Sequence, residues 1–244
     1  MSAARGSEPL ELRGPPRRVI AVLPIALPAH GTVTVERVRH GAGKGERKSF
    51  LARAAPFGDS ATEIRLQLPR NLPPGRYDGV ATIGGSERPV RLEVEERPRL
   101  RVLPRESRVT LTPERRAEIR VRAANDGNAP VEIPRVSAFG VFEVGGLDTA
   151  IGQALRAELK AGERRVDRLM EELVERHGGL VRVGVNEGAG ALAPGAVTEI
   201  VATLELPAGL VPGHSYSGAW PLANASHRVV VTTALAAPAA RREK

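Results

Sequence analysis

The chain has 244 residues, a net charge of +8 and no cysteine. Without cysteine it can form neither disulfides nor thiolate metal sites, and thiol catalysis is excluded. The length suffices for two domains of about 100 residues each. Aromatic residues make up only 3% of the chain, so any core must be built from Val, Leu, Ile and Ala. The mildly basic balance is typical of a solvated surface, with binding to an acidic partner surface as the alternative.

The first residues predict a flexible tail over 1–8, followed by early strands at Leu10–Leu12, Arg18–Ile25 and Thr32–Val38. Residues 17–29 resemble a signal peptide, because two arginines precede a short apolar run, but prolines interrupt that run. No stretch approaches the ~20 apolar residues of a membrane-spanning helix. We therefore expect a cytoplasmic protein, with export to the envelope through residues 17–29 as the alternative.

A basic, glycine-rich stretch follows, with the sequence RVRHGAGKGERKSFLAR. It lacks the G-x-x-x-x-G-K-[ST] pattern of a phosphate loop, and no helical pattern follows it. We interpret it as a solvated hairpin loop, with contact to phosphates or to an acidic protein surface as the alternative. Phe50 alone could stack on a base, so we do not expect nucleic-acid binding. The candidate anion contacts are Arg37, Arg39, Lys44, Arg47 and Lys48.

One pattern occurs twice, at Leu66–Gly79 and at Leu204–Gly218. Each copy reads L-x-L-P-x-x-L-x-P-G, followed by a tyrosine and, two residues later, a glycine. Proline ends the first strand, Pro-Gly predicts a tight turn, and the tyrosine begins the next strand. A tyrosine in this position is typical of the tyrosine corner of Greek-key sandwiches, which gives Tyr77 and Tyr216 a structural role.

The duplicated corner predicts a mainly β protein made of two tandem immunoglobulin-like β-sandwiches, the second with an α-helical insertion. Each corner would join strands E and F of one sandwich. The predicted domains are residues 9–96 and residues 97–235, joined near Glu95–Pro98, with a second flexible tail at 236–244. The two corners lie further apart than one plain sandwich of about 100 residues requires, and most of the excess falls on residues 148–177.

The opening of the second domain contains an Asn-Asp-Gly-Asn turn at 125–128 and a short strand at Pro130–Ile133. It resembles the opening of bacterial immunoglobulin-like accessory modules and of the cytoplasmic major-sperm-protein (ASH) type of immunoglobulin domain. Those sequences likewise place an asparagine-glycine turn before a short PVxI strand. The resemblance covers about the front half of this domain. It implies a binding or scaffolding module and transfers no catalytic residues.

Residues 148–177 have a helical pattern that a β-sandwich does not need. Their apolar residues fall at alternating spacings of four and three, and Gly162 occupies one position of this stripe, where it could kink the helix or split it into a hairpin. The stripe either covers an end or edge of its own sandwich or pairs with another chain. The candidate partner-binding residues are Leu155, Leu159, Val166, Leu169 and Leu173.

Residues with catalytic or metal-binding chemistry are sparse. None of the five histidines has metal-ligand spacing, although His214 and His227 fall on neighbouring predicted strands. We therefore expect no metal and no cofactor. Trp220 near Tyr216 could form a sugar-stacking platform, but strand alternation favours core packing for its ring.

These patterns favour a non-catalytic scaffold, adaptor or assembly subunit, with the helical insertion as its partner surface. Its partner would be another protein or a second copy of the chain. The alternative is an exported, envelope- or carbohydrate-associated immunoglobulin-like module, of which a pilus-chaperone-like protein is a variant. We do not expect an enzyme, because no constellation of residues indicates a reaction.

Overall fold

The computed structural model describes residues 9–24, 31–40, 48–83, 86–159 and 162–233. The chain is mainly β and divides into two compact units, each described by itself below. Unit 1 comprises Met1–Arg99 together with Asn125–Pro130 and Ala193–Ala196. Unit 2 comprises Leu100–Ala124, Val131–Leu192 and Val197–Lys244.

Unit 1 contains a seven-stranded sheet in the order β1-β7-β6-β3-β4-β5-β2. All neighbouring strands are antiparallel except β1 and β7, which are parallel. Its strands are β1 (Leu10–Gly14), β2 (Arg18–Leu23), β3 (Gly31–His40), β4 (Lys48–Phe57), β5 (Ala61–Gln67), β6 (Gly75–Ile83) and β7 (Ser86–Val94).

The strands of unit 1 alternate as the sequence pattern predicts. In β5, Thr62, Ile64 and Leu66 are buried while Arg65 and Gln67 point to solvent. The inward residues of all seven strands form one apolar cluster that also includes Tyr77. Because a period of two places alternate residues on one face, this core follows directly from the spacing of the branched aliphatic residues.

Strand β4 is not among the predicted strands, because its first six residues, 48–53, belong to the stretch that we interpret as a loop. Its first part pairs with β3 and its last part with β5, so this strand connects the two halves of the sheet. In the predicted strand Thr32–Val38, Arg37 and Val38 depart from the alternation of the preceding residues, and this departure has a structural cause. The register of β3 shifts between Val35 and Val38, where a β-bulge inserts extra residues into the strand.

Unit 2 contains an eight-stranded sheet in the order β8-β10-β15-β13-β12-β16-β17-β9 and a small sheet of β11 with β14. Strand β9 pairs in parallel with β17. The strands are β8 (Leu100–Leu103), β9 (Glu106–Thr110), β10 (Arg116–Asn125), β11 (Val131–Ile133), β12 (Val136–Glu143), β13 (His177–Glu187), β14 (Gly190–Leu192), β15 (Val197–Glu205), β16 (Ser215–Leu222) and β17 (Ala225–Thr232).

The helical segment differs from a single element over 148–177. It consists of α1 (Gly146–Arg156) and α2 (Arg165–Glu175), and His177 begins β13. Gly162 lies between the helices with a φ of 85°, a left-handed conformation that glycine adopts without steric cost. Gly162 therefore separates two helices and does not kink a single one.

The two units repeat one strand order. The series β1-β7-β6-β3-β4-β5-β2 corresponds to β9-β17-β16-β12-β13-β15-β10. The duplicated corner joins β5 to β6 and β15 to β16, as the pattern predicts. Helices α1 and α2 join β12 to β13, and the corresponding connection of unit 1 includes residues 41–47, which lie outside the described part.

Both corner tyrosines have a buried ring and a hydroxyl bonded to the backbone of the preceding loop. The Tyr77 hydroxyl donates to the Pro73 carbonyl at 2.7 Å. In the second copy, the Val211 amide donates to the Tyr216 hydroxyl at 3.1 Å. Each tyrosine thus holds its loop against the next strand, which is the arrangement of a tyrosine corner.

Candidate interaction surface on the helical pair

Each of the two helices begins with residues that stabilise a helix N-terminus. Helix α1 follows Gly145, whose φ is 77°, and carries Asp148 in its first turn. At the start of α2, the Arg164 amide donates to the Asp167 carboxylate at 3.2 Å, and the Arg164 guanidinium binds the same carboxylate at 3.0 Å. This side-chain bond holds the pKa of Asp167 below its ordinary value. The Asp167 carboxylate thereby satisfies the Arg164 amide, which corresponds to one half of a capping box; the arginine side chain has no acceptor with which to supply the other half.

Small side chains allow the helices to approach each other. Ala150 and Ala154 of α1 are buried. Beside them, Arg165 of α2 donates to the carbonyls of Ala154 and Leu155 at 3.0 and 2.7 Å. These carbonyls belong to the last turn of α1, where the helix itself offers no donor and where a positive charge is favourable.

A buried carboxylate links the helices further. The Glu172 side chain is only 5% exposed and is bound by Arg168 and Arg176, each at 2.8 Å. Arg176 also donates to the Gln153 side chain of α1 at 2.6 Å. Since a buried carboxylate is stable only when it is paired, Glu172 holds Arg176 in place, and the hydrogen bond from Arg176 to Gln153 connects α2 to α1.

Apolar side chains remain exposed on both helices. They recur every fourth residue, so that each set lies along one face of its helix. All six are between 40% and 69% exposed. We refer to them together as the apolar helix surface: Leu147, Ile151 and Leu155 on α1, and Val166, Met170 and Val174 on α2.

Only part of this surface coincides with the residues predicted from the sequence. Leu155, Leu159 and Val166 are exposed, whereas Leu169 and Leu173 are half-buried. The predicted heptad spacing assumes one continuous helix. Because the helix is interrupted between α1 and α2, that spacing assigns the wrong residues of α2 to the exposed stripe. A spacing of four within each helix would have found the missed residues, namely Leu147, Ile151, Met170 and Val174.

The charges around the apolar helix surface are balanced. Residues 146–176 contain six basic and seven acidic residues, although the whole chain has a net charge of +8. The charged side chains of α2 pair locally: Arg164 with Asp167, and Arg168 with Glu171 and Glu172. The region can therefore approach a neutral surface, or a copy of itself, without strong repulsion.

The basic residues predicted as anion contacts are only partly described. Arg37 and Arg39 lie in β3, and Lys48 is the exposed first residue of β4. Lys44 and Arg47 lie outside the described residues. Anion binding by these five residues stays a prediction.

The two histidines considered as a metal pair lie towards opposite ends of the β16–β17 hairpin. His214 precedes β16 and contacts the Glu143 carboxylate at 2.7 Å. His227 pairs with Trp220 across the strands, and burial lowers the pKa of its imidazole. Within the described ranges, no three His, Asp or Glu side chains form a group that could hold a metal ion.

Trp220 is fully buried, and its indole N–H donates to the Ser137 hydroxyl at 2.8 Å. Its ring lies 6.2 Å from the His227 imidazole in an edge-to-face contact. The ring therefore belongs to the core, as strand alternation favours, and it does not form a sugar-stacking platform.

No known family matches the sequence, and no curated protein matches it. Among solved structures, the chain is similar to a protein of unknown function from Porphyromonas gingivalis W83, with 12% identity over 92% of this chain and 96% of that chain and a TM-score of 0.26. A 3Ig structure of titin domains, in an E-to-A mutated variant, is 11% identical over 96% of this chain and 65% of that chain, with a TM-score of 0.31. A titin structure described as an anomalous substructure is 13% identical over 92% of this chain and 96% of that chain, with a TM-score of 0.28. Similarities at this level do not assign the chain to a family.

Among the described residues, no helix has the length and apolar character needed to cross a membrane.

Proposed function

We propose that the two units are tandem immunoglobulin-like β-sandwiches, with α1 and α2 inserted between two strands of the second. The shared strand order of the units and their two tyrosine corners support this proposal. The helices occupy a connection that a sandwich can make with a short loop. They are therefore an addition to the fold, and their exposed side chains are available for another role.

We propose further that the chain is a non-catalytic assembly subunit that pairs with a second copy through the apolar helix surface. The observation that carries this proposal is the exposure of six large apolar side chains in two matching sets on adjacent helices. Large apolar side chains grouped along an exposed helix face favour an interaction site, because leaving them in water is unfavourable.

Charge favours a second copy as the occupant of this surface. A twofold interface brings the same patch together from both chains, so a patch with a large net charge would repel itself. Residues 146–176 are nearly neutral in sum, and many of their charges are paired within the helices. Two adjacent helices that meet a copy of themselves would bury both apolar sets in a four-helix contact.

Sedimentation equilibrium of the full chain tests this proposal. We expect a concentration-dependent dimer in the unaltered protein. The double variant Leu155→Glu/Met170→Glu places one charge on each helix, and it should weaken the dimer by at least about tenfold, since buried unpaired charges are costly.

A matched control is the double variant Val136→Glu/Val197→Glu, which changes two exposed valines on strands of the same unit. It should leave the dimer unchanged. Circular dichroism must show that both double variants retain their helices. A chain that is monomeric at all concentrations contradicts self-association. Equal weakening by both double variants contradicts the assignment to the helices.

A further inference from the structure

A strongly charged feature lies on unit 1. Five arginines and two other residues line an open cavity of about 470 Å³. A smaller cavity of about 310 Å³ shares three of these arginines and is also lined wholly by residues of unit 1. We refer to the five arginines of the larger cavity as the arginine face: Arg17, Arg18, Arg53, Arg65 and Arg70.

Strand register brings these arginines together from distant parts of the sequence. Arg18 of β2 pairs with Gln67 of β5, and Arg53 of β4 pairs with Arg65 of β5. Residues directly opposite each other share one face of a sheet, so these side chains all point outward. Arg17 precedes β2 and Arg70 follows β5, at the end of the sheet where Arg18 and Gln67 pair.

The arrangement is unfavourable without a counter-charge. Like charges directly opposite on neighbouring strands repel, and Arg53 lies opposite Arg65. Glu63 pairs with Arg65, and this hydrogen bond holds the pKa of Glu63 below its ordinary value. Asp126 lines the smaller cavity, which shares Arg17, Arg18 and Arg70. Two carboxylates do not balance five guanidinium groups, so the face keeps a positive charge.

Within the described residues the other arginines are less well compensated, and Arg18 acts on Glu63 only through its charge. For the side chains of Arg17, Arg53 and Arg70, the described part of the chain offers neither an ion pair nor a hydrogen bond. Arg17 has a φ of 84°, an unusual backbone conformation for a residue with a side chain. Its carbonyl accepts the Leu68 amide at 3.2 Å, which fixes the start of β2 beside the end of β5.

The chemistry of the lining residues indicates the ligand. Guanidinium groups present planar, paired donors that match phosphate oxygens, and several of them together can bind more than one phosphate group. The lining of the larger cavity contains no acidic and no aromatic residue, so it offers no platform for base stacking. The volume lies in the range of sites for small molecules.

We propose that the arginine face binds a compact anion with two or more phosphate groups. Linear phosphate chains and small polyphosphorylated molecules share this chemistry. The contacts would be bidentate hydrogen bonds from Arg18, Arg53 and Arg70, and the bound anion would remove the repulsion between the guanidinium groups. This site is distinct from the glycine-rich stretch considered in the sequence, because only Arg53 belongs to both.

Isothermal titration of the full chain with inorganic tripolyphosphate tests the proposal. The unaltered protein should bind about one equivalent at the arginine face. The triple variant Arg18→Gln/Arg53→Gln/Arg70→Gln should bind at least about tenfold more weakly, because hydrogen bonds between charged groups are lost. The single variant Arg70→Gln, in a loop, should weaken binding by a smaller factor and guards against a folding defect in the triple variant.

The matched control is Arg122→Gln/Arg135→Gln/Arg182→Gln, which removes the same charge from exposed arginines of unit 2. It should bind tripolyphosphate within about twofold of the unaltered protein, because distant exposed charges are screened by salt. Equal losses in the two triple variants, or no binding by the unaltered protein, would overturn the proposal.

Two further titrations identify the chemistry of the ligand. Citrate carries a similar charge on carboxylates, and it should bind at least about tenfold more weakly if paired phosphate recognition is the basis. A free phosphate chain and a polyphosphorylated ring such as inositol hexakisphosphate then distinguish the two sources of phosphate. Tighter binding of single-stranded DNA than of either anion would overturn the assignment to a small ligand.

Discussion

At the scale of single residues, the glycines of the duplicated corner have two different causes: some allow the turn conformation, and others leave no room for a side chain. The turn glycines Gly75 and Gly213 have φ values of 129° and 83°, which explains their recurrence. The glycines two residues after the tyrosines recur for another reason. A Cβ at Gly79 would lie 2.9 Å from the Glu36 carbonyl oxygen, and one at Gly218 would collide with the Gly140 carbonyl. Each position lets the strand after the corner approach its neighbour closely.

Substitution of Gly218 tests this explanation. Gly218→Ala should lower the free energy of unfolding of unit 2 by about 1–3 kcal/mol, the usual cost of overpacking, because the added methyl meets backbone and the Phe139 ring. Thermal unfolding followed by circular dichroism measures the change. The control is Gly184→Ala in β13, where nothing lies within 4 Å of the added carbon, and its stability should stay within about 0.5 kcal/mol. Equal effects at the two sites would contradict the argument.

At the scale of elements, the helical pair depends on specific polar contacts more than on an apolar core of its own. In α2, Glu172 is the one buried side chain of the helix, while Val166, Met170 and Val174 are exposed. Short helices of 11 residues are only marginally stable alone. The pair therefore relies on the Glu172 network and on the arginine that covers the end of α1, while its apolar residues remain available for a partner.

Removal of Glu172 should release α2 from α1. In Glu172→Ala, Arg168 and Arg176 lose their shared carboxylate, and we expect a loss of about 2 kcal/mol in the stability of the helical pair. Hydrogen exchange of the α1 and α2 amides measures this loss locally. Glu171→Ala is the matched control, since Glu171 pairs with Arg168 at the surface, and it should cost less than about 1 kcal/mol. Unchanged protection in Glu172→Ala would show that the helices are held by other contacts.

At the scale of the whole molecule, each unit has its own sheet, and unit 1 has a contiguous apolar core drawn from Leu10–Val94. The two units are not separated at a single position of the sequence, because unit 1 also includes Asn125–Pro130. Within it, the Asn128 side chain donates to the carbonyls of Leu72 and Glu95, each at 3.0 Å. Unit 1 thus takes its apolar core from one continuous stretch of sequence but receives some of its hydrogen bonds from a later segment.

A fragment of residues 9–96 should therefore fold, with lower stability than unit 1 has in the full chain. Its apolar cluster is complete, and it lacks the hydrogen bonds and the packing that the later segments supply, including the buried Asn128 and Ala129. In the full chain, Asn128→Ala should lower the stability of unit 1 by about 1–3 kcal/mol, because the buried Leu72 carbonyl, the half-buried Glu95 carbonyl and the Arg97 amide all lose this partner. Denaturant unfolding of the fragment and of this variant gives both values. A fragment without a cooperative transition would contradict independent folding of the first domain.

Much of the β architecture could be predicted because its signals are local. Strand alternation, the prolines that end β5 and β15, and the corner tyrosines each depend on a few neighbouring residues. The strands predicted on either side of the two corners correspond to β5 and β6 and to β15 and β16. Strand β4 was missed because glycine-rich sequence precedes it, and the helical break was left open because a single glycine permits either a kink or a split.

The candidate surfaces depend on contacts that the sequence does not encode locally. The apolar stripe was predicted as a feature, but its members depend on where the helices separate and on which side chains Glu172 and the alanines bury. The arginine face could not be found from sequence, since Arg18, Arg53 and Arg70 come from separate segments and meet only through strand register. The sequence by itself determined the mainly β character and the duplicated corners, because short-range periodicity and turn chemistry specify them. The tertiary structure alone decided which charged and apolar side chains share a surface, because that is set by pairing between distant strands and helices.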